Sequence, residues 1–192
     1  MNLPNKLTIL RIILIPIFVA LFFITALPYN NVIAATVFVI AAATDFLDGY
    51  IARKYKLVTD LGKFLDPIAD KVLVSTALII MLVVPNGGNV ILPNYGAIAV
   101  AIILARELII SGFRMVAASK GMVLAADKSG KIKTFFQDVA IIALLIGADV
   151  TPGLYGIMNI IGLVLLGIAT LLTVVSGVEY LVKNKQVLKE SK

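Results

Sequence analysis

Six apolar stretches, near 7–26, 32–52, 67–84, 97–119, 132–147 and 154–182, take up most of this chain. Each approaches or exceeds the roughly 20 residues with which a helix, rising about 1.5 Å per residue, crosses a bilayer. Hydrocarbon offers no partner to a backbone N–H or C=O, so segments of this kind fold as helices. A soluble core of this size has no use for 60% hydrophobic and only 15% charged residues. The expected fold is all-α, a polytopic membrane protein with six transmembrane helices, residues 1–192 forming one membrane domain. No internal repeat or low-complexity linker separates a second domain. The first run is long for a signal-peptide core and is followed by a poor cleavage site, so it is expected to stay as the first span.

The connecting segments alternate in charge. Residues 28–31, 85–95 and 148–155 contain no Lys or Arg, whereas 53–63, 120–133 and 183–192 are strongly basic. The positive-inside rule puts the basic set, and with it both termini, in the cytoplasm. Tyrosines fall at the proposed boundaries, Tyr29, Tyr95 and Tyr155 outside and Tyr50, Tyr55 and Tyr180 inside, as interface-seeking rings should. The net charge of +6 then reads as orientation and attraction to anionic lipid. No aromatic-interleaved basic patch argues for nucleic acid.

The chain has no Cys and no His. Thiolate nucleophiles, zinc–thiolate centres and imidazole bases or ligands are therefore excluded. Acid–base chemistry falls to carboxylates, Lys or Tyr, and any bound metal must accept oxygen donors. Hard cations such as Mg²⁺ or Mn²⁺ meet that condition.

Against this background stand four aspartates, Asp45 and Asp48 near the end of the second span and Asp66 and Asp70 near the start of the third. An ionised group near hydrocarbon costs roughly 2.5–3.5 kcal/mol on insertion scales, so something must offset it. Asp45 and Asp48 are three residues apart and share a helix face, and Asp66 and Asp70, four apart, do the same. The short basic loop between the spans brings the two helix ends together, and Pro67 is compatible with a first helical turn there, where the dipole favours Asp66. Four carboxylates cannot neutralise one another, but two divalent cations could neutralise them. Gly49, Ala52 and Gly62 are small and leave room for a ligand, and Arg53 offers a fork of donors for a phosphate. A solvated cluster balanced by Arg53, Lys54, Lys56, Lys63 and Lys71 is the plainer alternative.

The pattern D-x-x-D-G-x-x-A-R, eight residues, then G-x-x-x-D-x-x-x-D, running from Asp45 to Asp70, resembles the signature of the CDP-alcohol phosphotransferases. Its spacing speaks against the plainer alternative. Three further stretches, NLPNKLTILR at 2–11, RELIISGFR at 106–114 and KSGKIKTFFQ at 128–137, resemble those members of bacteria that make phosphatidylglycerophosphate. The resemblance implies transfer of a phosphatidyl group from CDP-diacylglycerol to sn-glycerol 3-phosphate, with release of CMP, at the inner face of a bacterial cell membrane. It makes Asp45, Asp48, Asp66 and Asp70 the ligands of two divalent cations, Mg²⁺ or Mn²⁺, with Asp70 also the general base. Thr8, Arg11, Gly49, Ala52, Arg53, Thr59 and Gly62 would contact CDP-diacylglycerol.

An acceptor that carries its own phosphate needs cations. Arg114, Lys131 and Lys133 are the candidates, with Arg106 and Glu107 more structural, although positive-inside anchoring explains the same residues. Gln137 and Asp138, about two turns into the fifth span, have no assigned chemistry. The glycines between 147 and 177 suit helix packing, and a homodimer is the expected assembly. Inositol phosphate remains open as the acceptor. From another class, a cation or solute transporter remains open too, but it should carry polar groups towards both faces, and these acids lie at one side.

Overall fold

The computed structural model describes residues 2–55, 60–83, 85–86, 89–122, 124, 128–151 and 156–188. Six long helices make up the protein: α1 (Leu3–Phe23), α2 (Asn30–Lys54), α3 (Asp60–Val83), α4 (Gly96–Ser119), α5 (Lys128–Val150) and α6 (Ile157–Lys183). A short 3₁₀ turn, Lys185–Leu188, follows. The bundle is built on two extensive antiparallel pairings, α1 with α2 and α5 with α6. Contacts of α2 with α5, α1 with α3 and α4 with α6 join them.

The core between the helices is aromatic on one side, where Phe18 and Phe38 meet with ring centroids 6.0 Å apart. On the other side it is aliphatic, around Ile103, Ile141, Leu144 and Leu145, all fully buried. The outside is apolar as well: Ile13, Ile17, Leu108, Met115, Leu171 and Val175 are exposed. A soluble protein would not leave so much apolar surface in water, whereas lipid makes it unremarkable. The protein is a polytopic, helical membrane protein.

Among the described residues α1, α2 (over Asn30–Ile51), α4 and α6 are long and apolar enough to cross a bilayer by composition. Helix α3 carries its charges in its first half, Asp70 and Lys71 among them, and α5, apart from Asp149 at its end, does the same with Lys131, Lys133 and Asp138. These same residues build the site below.

The apolar stretches anticipated all six helices, but three starts moved four residues or more towards the N-terminus, that of α1 to Leu3. Helix α3 begins at Asp60, so Asp66 and Pro67 lie more than a turn inside it rather than in its first turn. Leu61, Phe64, Leu65 and Ile68 recur there at i, i+3, i+4 and i+7, an amphipathic signal that a continuous bilayer-length apolar run does not include. Helix α5 likewise starts at Lys128, ahead of its apolar run. The segment between α3 and α4 contains a minimal ladder, β1 (Pro85–Asn86) paired antiparallel with β2 (Asn89–Val90). It is held to the bundle by Leu92, whose N–H donates to the Met81 carbonyl at 3.2 Å.

At this end a remote carboxylate closes α2. Tyr29, in the N-cap position, is left-handed (φ 56°) and supplies no capping side chain. Asp149, at the end of α5, accepts instead from the backbone N–H groups of Asn31 (2.9 Å) and Val32 (3.0 Å) and from the Asn31 amide (2.6 Å). Three donors and the positive end of a helix satisfy this charge in place. Asn30 meanwhile donates to the Phe22 carbonyl at 2.8 Å and helps close α1.

Glycines let α5 and α6 approach. A Cβ on Gly162 would lie 2.6 Å from Leu144 Cγ, and one on Gly147 would lie 2.3 Å from Asn159 Oδ1. These glycines serve packing within the chain, while Gly167 has open space around it.

Candidate active site

The C-terminal halves of α2, α4 and α6 and the N-terminal halves of α3 and α5 surround a cavity of about 680 Å³, a size that suits a small-molecule site. Its acidic side comes from α2 and α3, through Asp45, Asp48 and Asp70, with Gly49 beside them. Asp45 and Asp48 point the same way, as their three-residue spacing requires. Asp48 is buried, whereas the Asp45 side chain is 44% exposed.

Arg11 reaches into this acidic side from α1 and is completely buried. Its Nη1 lies 2.7 Å from Asp45 Oδ1, its Nη2 donates to Asp48 Oδ2, and its Nε donates to Thr44 Oγ1 at 3.4 Å. A buried guanidinium is tolerated when it is paired and hydrogen-bonded in this way. One cation thus shares two carboxylates. Thr8, one turn earlier, is also buried and donates to the Pro4 carbonyl at 3.2 Å.

The basic side comes from α4 and α5. Arg106, Arg114 and Lys131 line the cavity. Arg114 is steadied by Tyr180 of α6, whose hydroxyl accepts from Nε at 3.1 Å and whose ring lies 5.3 Å from the guanidinium carbon. Tyr180 itself packs edge-on against Phe113 and is buried. It is therefore a wall of the site and not the interfacial ring that its position in the sequence suggested.

Lys133 behaves differently from Lys131. It is buried, and its ammonium donates to Glu107 Oε1, which also accepts from Arg106 Nη1 at 3.2 Å. Arg106 Nη2 extends the network to Ser176 Oγ at 3.2 Å, tying α4, α5 and α6 together. Lys133 lines a smaller adjoining recess, shared with Asp70, Glu107 and Gln137. Its charge is committed to Glu107.

Of the residues singled out in the sequence, Asp45, Asp48, Asp70, Gly49, Arg114 and Lys131 share the cavity. Arg11 holds two of its carboxylates, and Gly62 is buried near the start of α3. Thr59 lies outside the described residues, as do the side chains of Ala52, Arg53 and Asp66. Three further residues line the cavity: Asp138, to which the sequence assigns no chemistry, Arg106, expected to be structural, and Tyr180, expected at the interface. Asp138 is seven residues beyond Lys131 on α5, so helical spacing could have shown it. The meeting of Tyr180 with Arg114 depends on how α6 docks on α4, which no local pattern reveals.

The family model for CDP-alcohol phosphatidyltransferase matches residues 1–176. The chain belongs to that family. Among the relatives of this phosphatidyltransferase, the CDP-diacylglycerol–glycerol-3-phosphate 3-phosphatidyltransferase of Bacillus subtilis is 42% identical, covering 99% of this chain and 98% of its own length. The protein of that name from Rickettsia typhi is 42% identical over 93% of this chain and 94% of its own. That of Pseudomonas fluorescens is 39% identical over 94% and 89%.

The donor chemistry of the phosphatidyltransferase's acidic side fits a hard divalent cation, since it offers carboxylate oxygens and no softer ligand. Among the described residues no three acidic groups stand close enough to share one ion. Asp45 and Asp48 are turned to Arg11 instead.

Proposed function

We propose that this enzyme transfers the phosphatidyl group of CDP-diacylglycerol to sn-glycerol 3-phosphate, yielding phosphatidylglycerophosphate and CMP. What supports this reading most is that one cavity takes Asp45, Asp48 and Asp70 from α2 and α3 and Arg106, Arg114 and Lys131 from α4 and α5, with Glu107 and Asp138 set among the latter. Such an arrangement suits a reaction that joins a pyrophosphate donor to a phosphorylated alcohol. The relatives named for that reaction match along nearly the whole chain.

Asp45, Asp48, Asp66 and Asp70 would hold two divalent cations, Mg²⁺ or Mn²⁺, which supply charge to neutralise the donor pyrophosphate and the departing CMP. Arg11 and Thr8, from α1, Gly49, Ala52 and Gly62, small beside the acids, and Arg53 and Thr59 would receive the CDP moiety. Arg114 and Lys131 would bind the acceptor phosphate and so fix its hydroxyl end towards Asp70. Asp70 takes the proton of that hydroxyl as its oxygen attacks the phosphorus bearing diacylglycerol, and CMP leaves. Lys133 takes part through Glu107, whose carboxylate it holds against Arg106.

In this reading all six helices cross the membrane. The basic loops and both termini face the cytoplasm, where the water-soluble acceptor is found, while the donor's acyl chains stay in lipid. The membrane is the bacterial cell membrane, and the enzyme works as a homodimer joined through lipid-facing helix surface.

The test is turnover by purified protein in detergent micelles containing CDP-diacylglycerol. Glycerol 3-phosphate with Mg²⁺ or Mn²⁺ should give CMP and phosphatidylglycerophosphate, and a chelator should abolish both. Equal turnover of inositol phosphate would remove the acceptor assignment, and full activity under chelation would remove the metal-assisted mechanism.

A further inference from the structure

Asp138 enters the cavity from α5, and none of the chemistry above uses it. Its Oδ1 is buried and accepts no hydrogen bond among the described residues. A buried carboxylate oxygen left in that condition is costly, and it lies in a cavity that already holds three other aspartates. Gln137 Oε1 is likewise unpartnered, but Gln137 lines a recess of only about 20 Å³, room for one water. Asp138 lines the space where the substrates would meet, so a substrate is the natural source of its missing donor.

The layout of the walls narrows the choice of donor. Lys131, Thr134 and Asp138 recur at i, i+3 and i+7 and all line the cavity. Asp138 lies about 10 Å beyond Lys131 along the helix axis. Extended glycerol 3-phosphate measures about 6 Å from phosphorus to its far hydroxyl, so an acceptor whose phosphate is held by the Arg114 and Lys131 side chains, which cover the rest of that interval, brings its carbon chain within reach of Asp138. In glycerol 3-phosphate the middle carbon carries a second hydroxyl, which takes no part in the transfer. An ionised carboxylate has no proton to give and can only accept, and such a hydroxyl can donate to it.

We propose that Asp138 accepts a hydrogen bond from the non-reacting C2 hydroxyl of the acceptor. It is thus a specificity-determining residue that selects a polyol phosphate over a plain hydroxyalkyl phosphate. The inference rests on the acceptor assignment made above. A site built to hydrogen-bond a substrate hydroxyl discriminates strongly against the analogue lacking it, because its own polar group is then left unpaired.

The experiment compares glycerol 3-phosphate with 3-hydroxypropyl phosphate, which has the same chain and phosphate but no C2 hydroxyl. Wild-type enzyme in CDP-diacylglycerol micelles should favour glycerol 3-phosphate in kcat/KM on the order of 100-fold. In Asp138→Ala and Asp138→Leu, neither of which offers an acceptor, that ratio should collapse towards one, through loss of efficiency with glycerol 3-phosphate, while the KM for CDP-diacylglycerol holds. This is a double-mutant cycle between a side chain and a ligand group. Equal losses on both acceptors would mark Asp138 as merely structural and overturn the proposal, as would a wild type that fails to discriminate. A wild type that ignores both acceptors but releases CMP with an unrelated alcohol would refute the acceptor assignment itself, before any variant is made. Two substitutions of different size, with elution profile and melting temperature recorded for each, separate a folding defect from a change in selectivity.

Discussion

The two ends of the bundle both carry aspartates among apolar helices, and they treat them in opposite ways. At the end near residue 30, Asp149 receives two backbone N–H groups and the Asn31 amide. At the other end Asp45, Asp70 and Asp138 border an open cavity, and Oδ1 of Asp138 has no partner among the described residues. A saturated carboxylate holds helices together. One that faces an open space with bonding capacity to spare is available to a ligand. The same residue type in the same low-dielectric setting is structural in one place and chemical in the other, and its partners decide which.

The sharpest way to break that contrast is Asp70→Asn. It should lower kcat by about 10³-fold and leave the melting temperature of the detergent-solubilised protein nearly unchanged. An active variant, or one that fails to fold, would mean Asp70 belongs with Asp149. Next in size is Glu107→Ala, which strands the buried Lys133 without its carboxylate. Breaking a buried pair from one side costs about 3 kcal/mol, to be read as a shift in thermal or denaturant unfolding. A shift no larger than that of a surface substitution would show that the Lys133–Glu107–Arg106 network does not join the helices.

Arg114→Ala tests the basic wall. It should raise the KM for glycerol 3-phosphate by about 10-fold or more, with the KM for CDP-diacylglycerol held, since charge-assisted bonds to phosphate are among the stronger ones. An unchanged acceptor KM would reduce Arg114 to an anchor at the membrane surface. The smallest effect is expected from Asp149→Ala, a loss of about 1–2 kcal/mol of stability from an uncapped α2. Its kcat should be normal below the unfolding transition; a reduced kcat there would show that the two ends are coupled.

Much of the architecture was legible in the chain because hydrocarbon permits so few solutions. Runs at 97–119 and 154–182 mark α4 and α6 within a few residues, since every backbone group must be paired inside its own segment. The spacing from Asp45 to Asp48 fixes their shared face for the same local reason. The start of α3 was missed because Leu61, Phe64, Leu65 and Ile68 are amphipathic and interrupted by Asp66 and Pro67, so they fall outside any continuous apolar run. Nor was the different fate of Lys131 and Lys133, two residues apart on one helix: one lines the cavity and the other is bound by Glu107. A helical repeat separates such residues by about half a circumference, but only the position of α4 says which side holds the acid.

The sequence by itself determined that this would be a helical membrane protein and that Asp45, Asp48 and Asp70 would gather at one end. Those are consequences of transfer free energy and helical period, both local in range. Tertiary structure alone decided that Arg11 would reach across to Asp45 and Asp48, that Tyr180 would brace Arg114, and that Asp149 would cap a helix more than a hundred residues away. Each joins residues far apart in the chain, and which of them meet depends on how whole helices dock, a cooperative outcome of packing that no single segment encodes.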